Sequence, residues 1–155
     1  MKIEILGIPQ VLNAIDKFQR NIHEDIADEI EGTAQRTVSS AKARLSPFGG
    51  EGEVLVDMIN RVRSSVDYKV EPQRLEAQVH AGGVNPDNIA AYLEFGTGKQ
   101  AASYVPSLDP KYQELAASFY VNGKGTLRTH RFLIPAYEQE KKRGVNRLKN
   151  LKVSW

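Results

Sequence analysis

Apolar residues recur every three or four positions near the N-terminus, a spacing that predicts an α-helix from about residue 9 to residue 46. The apolar positions are Val11, Ile15, Phe18, Ile22, Ile26, Ile30, Ala34, Val38, Ala41 and Leu45. A helix of this span is roughly 50 Å long, so we expect a bend or break at Gly32-Thr33, where glycine costs about 1 kcal/mol against alanine. Beyond that point the apolar side chains become smaller, with alanine at positions 34 and 41. A narrow stripe favours a closely packed neighbour, either within the chain or from another subunit.

A loop rich in proline and glycine, residues 46–52, ends this helix because Pro47 cannot continue it. Apolar and polar residues then alternate over about residues 60–81, which predicts an antiparallel hairpin with one wet face and a turn at residues 71–74. The loop at residues 46–52 follows a helix and lacks the Lys-Ser/Thr ending of a phosphate-binding loop, so we assign no phosphate site to it.

Two short motifs follow the hairpin. Residues 90–99 read AAYLEFGTGK, a predicted short helix that stops at a glycine turn. Residues 129–136 read THRFLIPA and lead into a predicted C-terminal helix over about residues 135–149. Between them, residues 99–130 are predicted to form a long irregular insertion with one helix candidate at 111–119. A connection of this size is usually functional or partly mobile.

Composition sets broad limits. The 155 residues suit a single domain, 1–155, with a real core. The absence of cysteine excludes disulfides, thiolate metal sites and cysteine nucleophiles. No run approaches the roughly 18–20 apolar residues of a membrane span, so we expect a soluble, intracellular protein. The predicted fold class is α+β: a long N-terminal helix packed on a small, mainly antiparallel sheet, with short helices and a C-terminal helix.

The charge distribution leaves two interpretations open. The net charge of +2 is weak evidence for nucleic-acid binding, but the C-terminal segment holds cations and no acid. These cations are Lys141, Lys142, Arg143, Arg147, Lys149 and Lys152. They suit either a solvated helix face near the negative end of the helix dipole, or a surface that meets phosphate or an acidic protein.

No set of residues has the spacing of a catalytic or metal site. The three histidines, His23, His80 and His130, fall in separate segments. Glu94 is the most interesting acid, because burial beside Phe95 would raise its pKa as at catalytic sites. Two structural alternatives are a cap on the N–H groups of the glycine turn and an ion pair with a cation such as Arg131.

The order of these elements resembles a phage family. A long helix, a Pro/Gly loop, a hairpin, a Y-x-E-F-G-T-G segment and an R-F-L-I-P-A segment opening a last helix are similar to the small tail-completion, or head–tail connector, proteins of lambdoid tailed phages (the gene-product-ten-like tail components). The residues that carry the resemblance are Ala91, Tyr92, Glu94, Phe95, Gly96, Thr97, Arg131, Phe132, Leu133, Pro135 and Ala136. Residues 46–55, SPFGGEGEVL, depart from the family's Pro then Thr-Gly-x-Leu pattern, and the insertion at 99–130 is longer than in the shortest relatives.

The resemblance implies a structural protein of a bacteriophage or prophage virion, with no catalysis and no cofactor. Such minor tail proteins form a ring at the neck, between the portal or adaptor and the tail tube or tail terminator, after assembly in the host cytoplasm. The implied partners are other copies of the chain, those head and tail proteins, and packaged DNA. The chain is either a monomer or a ring before assembly. A different class, a small basic nucleic-acid-binding protein, is the alternative.

Two groups of candidate residues follow from this resemblance. The structural turn and packing motif consists of Tyr92, Glu94, Phe95, Gly96, Thr97, Gly98, Arg131, Phe132 and Pro135. The candidate subunit or partner contacts are Phe48, Tyr104, Tyr112, Tyr120, Lys141, Lys142 and Arg143.

Overall fold

The computed structural model describes residues 8–46, 51–82, 89–119 and 124–151. Its regular elements are six α-helices and two β-strands in these described residues. In chain order they are α1 (Ile8–Arg44), α2 (Glu53–Ser65), β1 (Asp67–Glu71), β2 (Glu76–His80), α3 (Ile89–Phe95), α4 (Gly98–Tyr104), α5 (Pro110–Phe119) and α6 (Leu133–Lys149). The long first helix, the small antiparallel sheet and the last helix confirm the predicted α+β class.

Helix α1 is continuous, so of the predicted bend or break at Gly32-Thr33 the break does not occur. The reason is that this region is held from outside the helix. The Thr33 side chain hydrogen-bonds Glu29 (3.0 Å) and lies against Gly144 of α6, where an added Cβ would be only 2.6 Å from Thr33 Oγ1. Close packing against a glycine on the neighbouring helix offsets the cost of Gly32. The narrow part of the stripe therefore meets α6 of the same chain.

The predicted hairpin starts too early. Residues 60–65 belong to α2, and the first strand begins only at Asp67. The error has a physical origin, because two periodicities overlap here: Val62 and Val66 fit a strand alternation, but Leu55, Ile59, Val62 and Val66 also fall three or four residues apart. The second pattern is the one that the core uses, since Ile59, Val62 and Val66 are all buried.

The hairpin itself has the predicted antiparallel pairing and one wet face. Asp67 lies opposite His80, and a single 3-10 turn over Pro72–Arg74 joins the strands. The inward residues alternate along both strands and pack towards α1. The Tyr68 hydroxyl fastens the sheet to that helix, donating to Glu31 (3.2 Å) and accepting from the Gln35 amide (3.0 Å).

The segment predicted as an irregular insertion, residues 99–130, is largely helical in its described part. It contains most of α4, a 3-10 turn at Val105–Ser107 and α5. Pro106 suggested a loop, but it occupies an early position of the 3-10 turn, where its missing N–H costs nothing. The candidate helix at 111–119 is confirmed as α5.

Two groups of buried apolar side chains hold these elements together. The larger one joins α1, α2, α3 and α6 and consists of Val38, Ala41, Leu45, Ile59, Val62, Val66, Leu93, Phe132 and Ala136. The smaller one lies between α3, α4, α5 and α6 and consists of Phe95, Tyr104, Ala116 and Ile134. Both groups contain residues of the two sequence motifs, which therefore lie where the two groups of buried side chains adjoin.

Several predictions fall outside the described residues. They concern the loop at 47–50, including the candidate partner contact Phe48, and a helix-start signal at 85–88. Residues 121–123 of a turn predicted at 121–125 and the candidate contact Tyr120 also lie outside them.

Candidate functional site

The two motifs, 30 or more positions apart in the chain, are in direct contact. The His130 N–H donates to the Leu93 carbonyl (2.7 Å), so the segment before α6 runs alongside α3. Phe95 and Ile134 pack in the same buried group. We call the region formed by residues 90–99 and 129–136 the motif junction.

Glu94 is the centre of the motif junction and is only 4% exposed. Its Oε2 accepts hydrogen bonds from the N–H groups of Phe132 and Leu133, both at 2.8 Å. The first N–H groups of a helix have no acceptor within the helix, and a carboxylate there also meets the positive end of the helix dipole. Glu94 therefore caps α6. The expectation of a capping role is correct in kind, but the capped groups belong to α6 and not to the glycine turn.

The charge state of Glu94 reflects two opposing effects. Burial raises the pKa of this carboxyl above its usual value, and the N–H groups of Leu133 and Phe132 offset only part of that rise. An apolar cavity of about 270 Å³ adjoins it, lined among others by His80, Phe95 and Leu133. A carboxyl with a raised pKa beside a cavity is also found at catalytic sites. Here Oε2 is directed at the backbone of α6, and Oε1 accepts from the Tyr104 hydroxyl at 3.4 Å.

Arg131 takes part in the motif junction through an aromatic ring. Its guanidinium lies over the Tyr104 ring, 4.0 Å from the ring centroid, a cation–π geometry. Burial and the charge of Glu94 raise the pKa of Tyr104 to about 12. Tyr104 is 5% exposed, so its assignment as a partner contact is wrong: the ring is used inside the subunit. The side chains of Arg131, Tyr104 and Glu94 thus contact one another in series, and Glu94 contacts the backbone of α6.

The glycines of GTG are required by geometry. Gly96 ends α3 at φ +73°, and Gly98 starts α4 at φ +52°, where a Cβ would lie 2.0 Å from the Gly125 carbonyl oxygen. Thr97 between them holds the returning chain on both sides: its N–H donates to the Leu127 carbonyl (3.1 Å), and its hydroxyl accepts from the Leu127 N–H (2.8 Å). The glycines allow two backbones to approach to van der Waals contact.

A histidine pairing at the junction was missed from the sequence. The His130 side chain is fully buried, with Nε2 3.2 Å from a Glu51 carboxylate oxygen in the segment before α2. Burial lowers the pKa of His130. The negative charge of Glu51 opposes this decrease, and the positive charge of Arg128 adds to it. Glu51 is 79 positions away in a glycine-rich loop. No sequence spacing pointed to the pair.

Acids of α1 and α6 neutralise part of the basic C-terminal segment. Arg147 Nε donates to Glu29 Oε1 (2.7 Å), and Arg143 donates to Glu140 (2.7 Å). Burial alone raises the pKa of Glu29, but the Arg147 and Thr33 hydrogen bonds and the nearby cations bring it below its usual value. Both arginines stay partly in contact with solvent, with the side chains of Arg143 and Arg147 58% and 38% exposed, so this face is solvated and also holds ion pairs.

The remaining candidate contacts lie at or near the surface. Lys141 and Lys142 are exposed on α6, as is Arg143 despite its ion pair. Tyr112 is half-buried, and its hydroxyl donates to Glu138 (2.7 Å). Among the motif residues, Tyr92 stands out because it is 37% exposed.

Helix α1 begins well before the residues that contact α6. Its contacts with α6 run antiparallel, from Arg44 near Gln139 to Glu29 near Arg147, and α6 ends at Lys149. The preceding residues of α1, 12–28, span about 25 Å at 1.5 Å per residue, and within them residues 12–17 are exposed whereas Ile22 and Ile26 are half-buried. We call residues 12–28 the arm. Its apolar stripe is open to solvent towards the end: Leu12 is 56% and Ile15 45% exposed.

Among the residues that the structure describes, no three histidine or acidic side chains cluster in a way that could hold a metal ion. Within the same residues, no helix is both long enough and apolar enough to span a membrane. The chain matches no protein-family model, no curated protein and no solved structure with which it was compared.

Proposed function

We propose that this protein is a ring-forming head–tail connector, or tail-completion, protein of a tailed bacteriophage or prophage. In this role it acts by assembly and not by turnover: copies associate at the neck and join the portal or adaptor side of the head to the tail tube or tail terminator. It needs no cofactor for this. Its final location is the virion neck, after assembly in the host cytoplasm.

The observation that supports the proposal most is the division of the molecule into a closed junction and an open arm. The motifs that resemble the phage family meet at Glu94, whose carboxylate is committed to the backbone of α6. The junction thus serves to fix α6 against α3. The arm, in contrast, presents Leu12 and Ile15 to solvent on a helix longer than the body requires. Exposed apolar stripes of this kind are typical of protein interaction sites.

The test is deletion of the gene from the phage or prophage that carries it, followed by electron microscopy of the lysate. We expect DNA-filled heads and complete tails that are not joined, with joining restored by the wild-type gene supplied in trans. Density for the protein as a ring at the neck of wild-type particles is the second expected result. Normal virions from the deletion, or a strictly monomeric protein absent from virions, would refute the proposal.

A second candidate, binding to nucleic acid, is favoured by the exposed cations Lys141 and Lys142, which follow one another on α6. Binding through phosphate contacts weakens steeply as salt rises. Measuring the affinity for duplex DNA against salt, with a Lys141→Gln/Lys142→Gln variant as the comparison, tests it. An affinity that is absent at low salt, or unchanged in the variant, would exclude this site for DNA.

A further inference from the structure

An apolar groove adjoins the base of the arm. It lies between α1, β2 and α6 and has a volume of about 180 Å³. Its apolar lining includes Ile30, Ala34, Val79, Tyr137, Val145 and Leu148. Tyr137 and Val145 are 38% and 42% exposed, so the groove is open along α6. We call it the α1–α6 groove.

The arm and the groove share one apolar stripe. Ile22 and Ile26 of the arm lead, in steps of four residues, into Ile30 and Ala34 of the groove. Residues on this spacing lie on one face of a helix. A straight helix cannot fold back on itself, so the arm cannot fill the groove of its own subunit. The exposed end of the arm, at Leu12 and Ile15, and the open side of the groove are the surfaces that a second copy of the chain can reach.

The charges of the two surfaces are complementary. The arm contains four acidic and two basic residues, a formal net charge of −2: Asp16, Glu24, Asp25 and Asp28 against Lys17 and Arg20. The α6 segment that borders the groove, residues 141–149, contains five cations and no acid; Arg143 and Arg147 are paired with Glu140 and Glu29, which leaves Lys141, Lys142 and Lys149. Lys141 lines the groove itself. Pairing of two arms would bring two surfaces of net negative charge together, whereas an arm beside α6 meets cations.

We propose that the arm of one copy lies in the α1–α6 groove of a second copy, with the exposed face of Leu12 and Ile15 turned inwards. This inference deepens the proposed function, because it names the contact through which a ring is built. A contact between two different surfaces of identical subunits is head-to-tail, and it closes into a ring when the rotation between subunits permits. Each subunit then gives one arm and receives one.

The chain has no cysteine, so a crosslink can form only at the one cysteine that each variant introduces. We would prepare Ile15→Cys in the arm and Val145→Cys in the groove, give one of them a mass tag, mix them and add a short bismaleimide. The matched control is Lys17→Cys, which is exposed on the same helix but two residues away, and so faces a different direction. Circular dichroism establishes that each variant is folded.

The expected result is a crosslinked pair of Ile15→Cys with Val145→Cys, several-fold above the pair of Lys17→Cys with Val145→Cys. Crosslinking no stronger than this control overturns the proposal, and so does an Ile15→Cys homodimer that exceeds the mixed pair, since that result means arm pairs with arm. A second measurement does not depend on thiols: Ile15→Asp and Val145→Asp should each lose self-association, and mixing them should restore one intact contact and give a heterodimer. If Val145→Asp alone associates like the wild type, the groove is not the receiving surface.

The ring and the contact can fail separately. In an Ile15→Cys/Val145→Cys double variant, covalent closed rings support both the arm–groove contact and the neck proposal. Crosslinked pairs that never close, from a protein absent from virions, leave the contact standing and refute the neck function. Rings in virions without the Ile15–Val145 crosslink refute the contact and leave the function standing.

Discussion

Replacing Glu94 by alanine removes the acceptor for two backbone N–H groups at the start of α6, those of Phe132 and Leu133. Both residues are shielded from bulk solvent, since Glu94 is 4% exposed and Phe132 is 1% exposed. The Tyr104 hydroxyl loses its partner as well. Glu94→Ala therefore leaves buried donors without acceptors, which costs more than the loss of an exposed helix cap.

An unsatisfied buried donor costs about 1–3 kcal/mol, so we expect Glu94→Ala to lower the free energy of unfolding by roughly 3–4 kcal/mol. That is a large share of the ~5–15 kcal/mol of a typical domain. Glu94→Gln is a different change, because its amide oxygen can still accept both N–H bonds. We expect it to stay within about 1 kcal/mol of the wild type at neutral pH, the scale of a charge–dipole interaction.

The assay is urea unfolding followed by circular dichroism, with Glu114→Ala as the control because Glu114 is exposed on the nearby helix α5. Surface changes of this kind usually alter stability by no more than about 0.5 kcal/mol. Glu94→Ala within about 1 kcal/mol of the wild type would refute the capping argument. Glu94→Gln as damaging as alanine would show that the negative charge, and not the acceptor, is essential.

The pH dependence gives a sharper test of the same carboxyl. Burial raises the pKa of Glu94 above its usual 4.5, so the folded protein binds this proton more tightly than the unfolded chain. The free energy of unfolding of the wild type should therefore fall, through this group, as pH rises from about 4.5 through the raised pKa. Glu94→Gln has no such proton. Its stability relative to the wild type should rise over this interval, and a difference that is flat with pH would contradict the assignment.

Three further changes test the rest of the junction and the helix pair by the same unfolding assay. Gly98→Ala should cost at least about 2 kcal/mol, because its Cβ meets a carbonyl oxygen at 2.0 Å; the control Gly52→Ala, whose Cβ meets nothing within 4 Å, should be nearly neutral, and equal effects would refute the close approach. Gly144→Ala should cost about 1–2 kcal/mol in the wild type but much less in a Thr33→Ala background, which removes the nearest atoms; additive effects would show that the two residues are not coupled. Burial lowers the pKa of His130 below 6.5, so the free energy of unfolding should fall, through this group, as pH falls from 6.5 through the lowered pKa. His130→Gln should flatten that slope, and an unchanged slope would exclude His130 as its source.

Long periodic patterns were the part of the fold that the sequence predicts well. The α1 stripe gives the helix and its approximate ends, because ten apolar positions agree on one face. The destabilising effect of Gly32 was overestimated, because the contact between Thr33 and Gly144 that offsets it cannot be seen in the sequence. Short elements are harder: Val62 and Val66 satisfy two periodicities at once, and only burial selects the helical one.

The two motifs were singled out from the sequence, but their contact at the motif junction and its chemistry were not predicted. Glu94 was singled out as the acid to watch, and capping was among its predicted roles. Its actual partners, at Phe132 and Leu133, depend on how two distant segments pack. The same is true of Tyr104, whose burial reversed its predicted role, and of His130 beside Glu51. Contacts between side chains far apart in the chain depend on tertiary packing, which cannot be inferred from composition or from the spacing of residues within a short segment.

The bond from Glu94 to Phe132 also closes a loop of the polypeptide, since 38 positions separate the two residues. Closing a loop costs entropy that grows only with the logarithm of its length, so doubling the length adds about 0.6 kcal/mol. The chain between the two ends can therefore gain or lose residues at its surface without loosening the junction. Exposed positions of this part of the protein are therefore free to vary, whereas Gly98, Tyr104 and Gly125, which pack at the junction, are not.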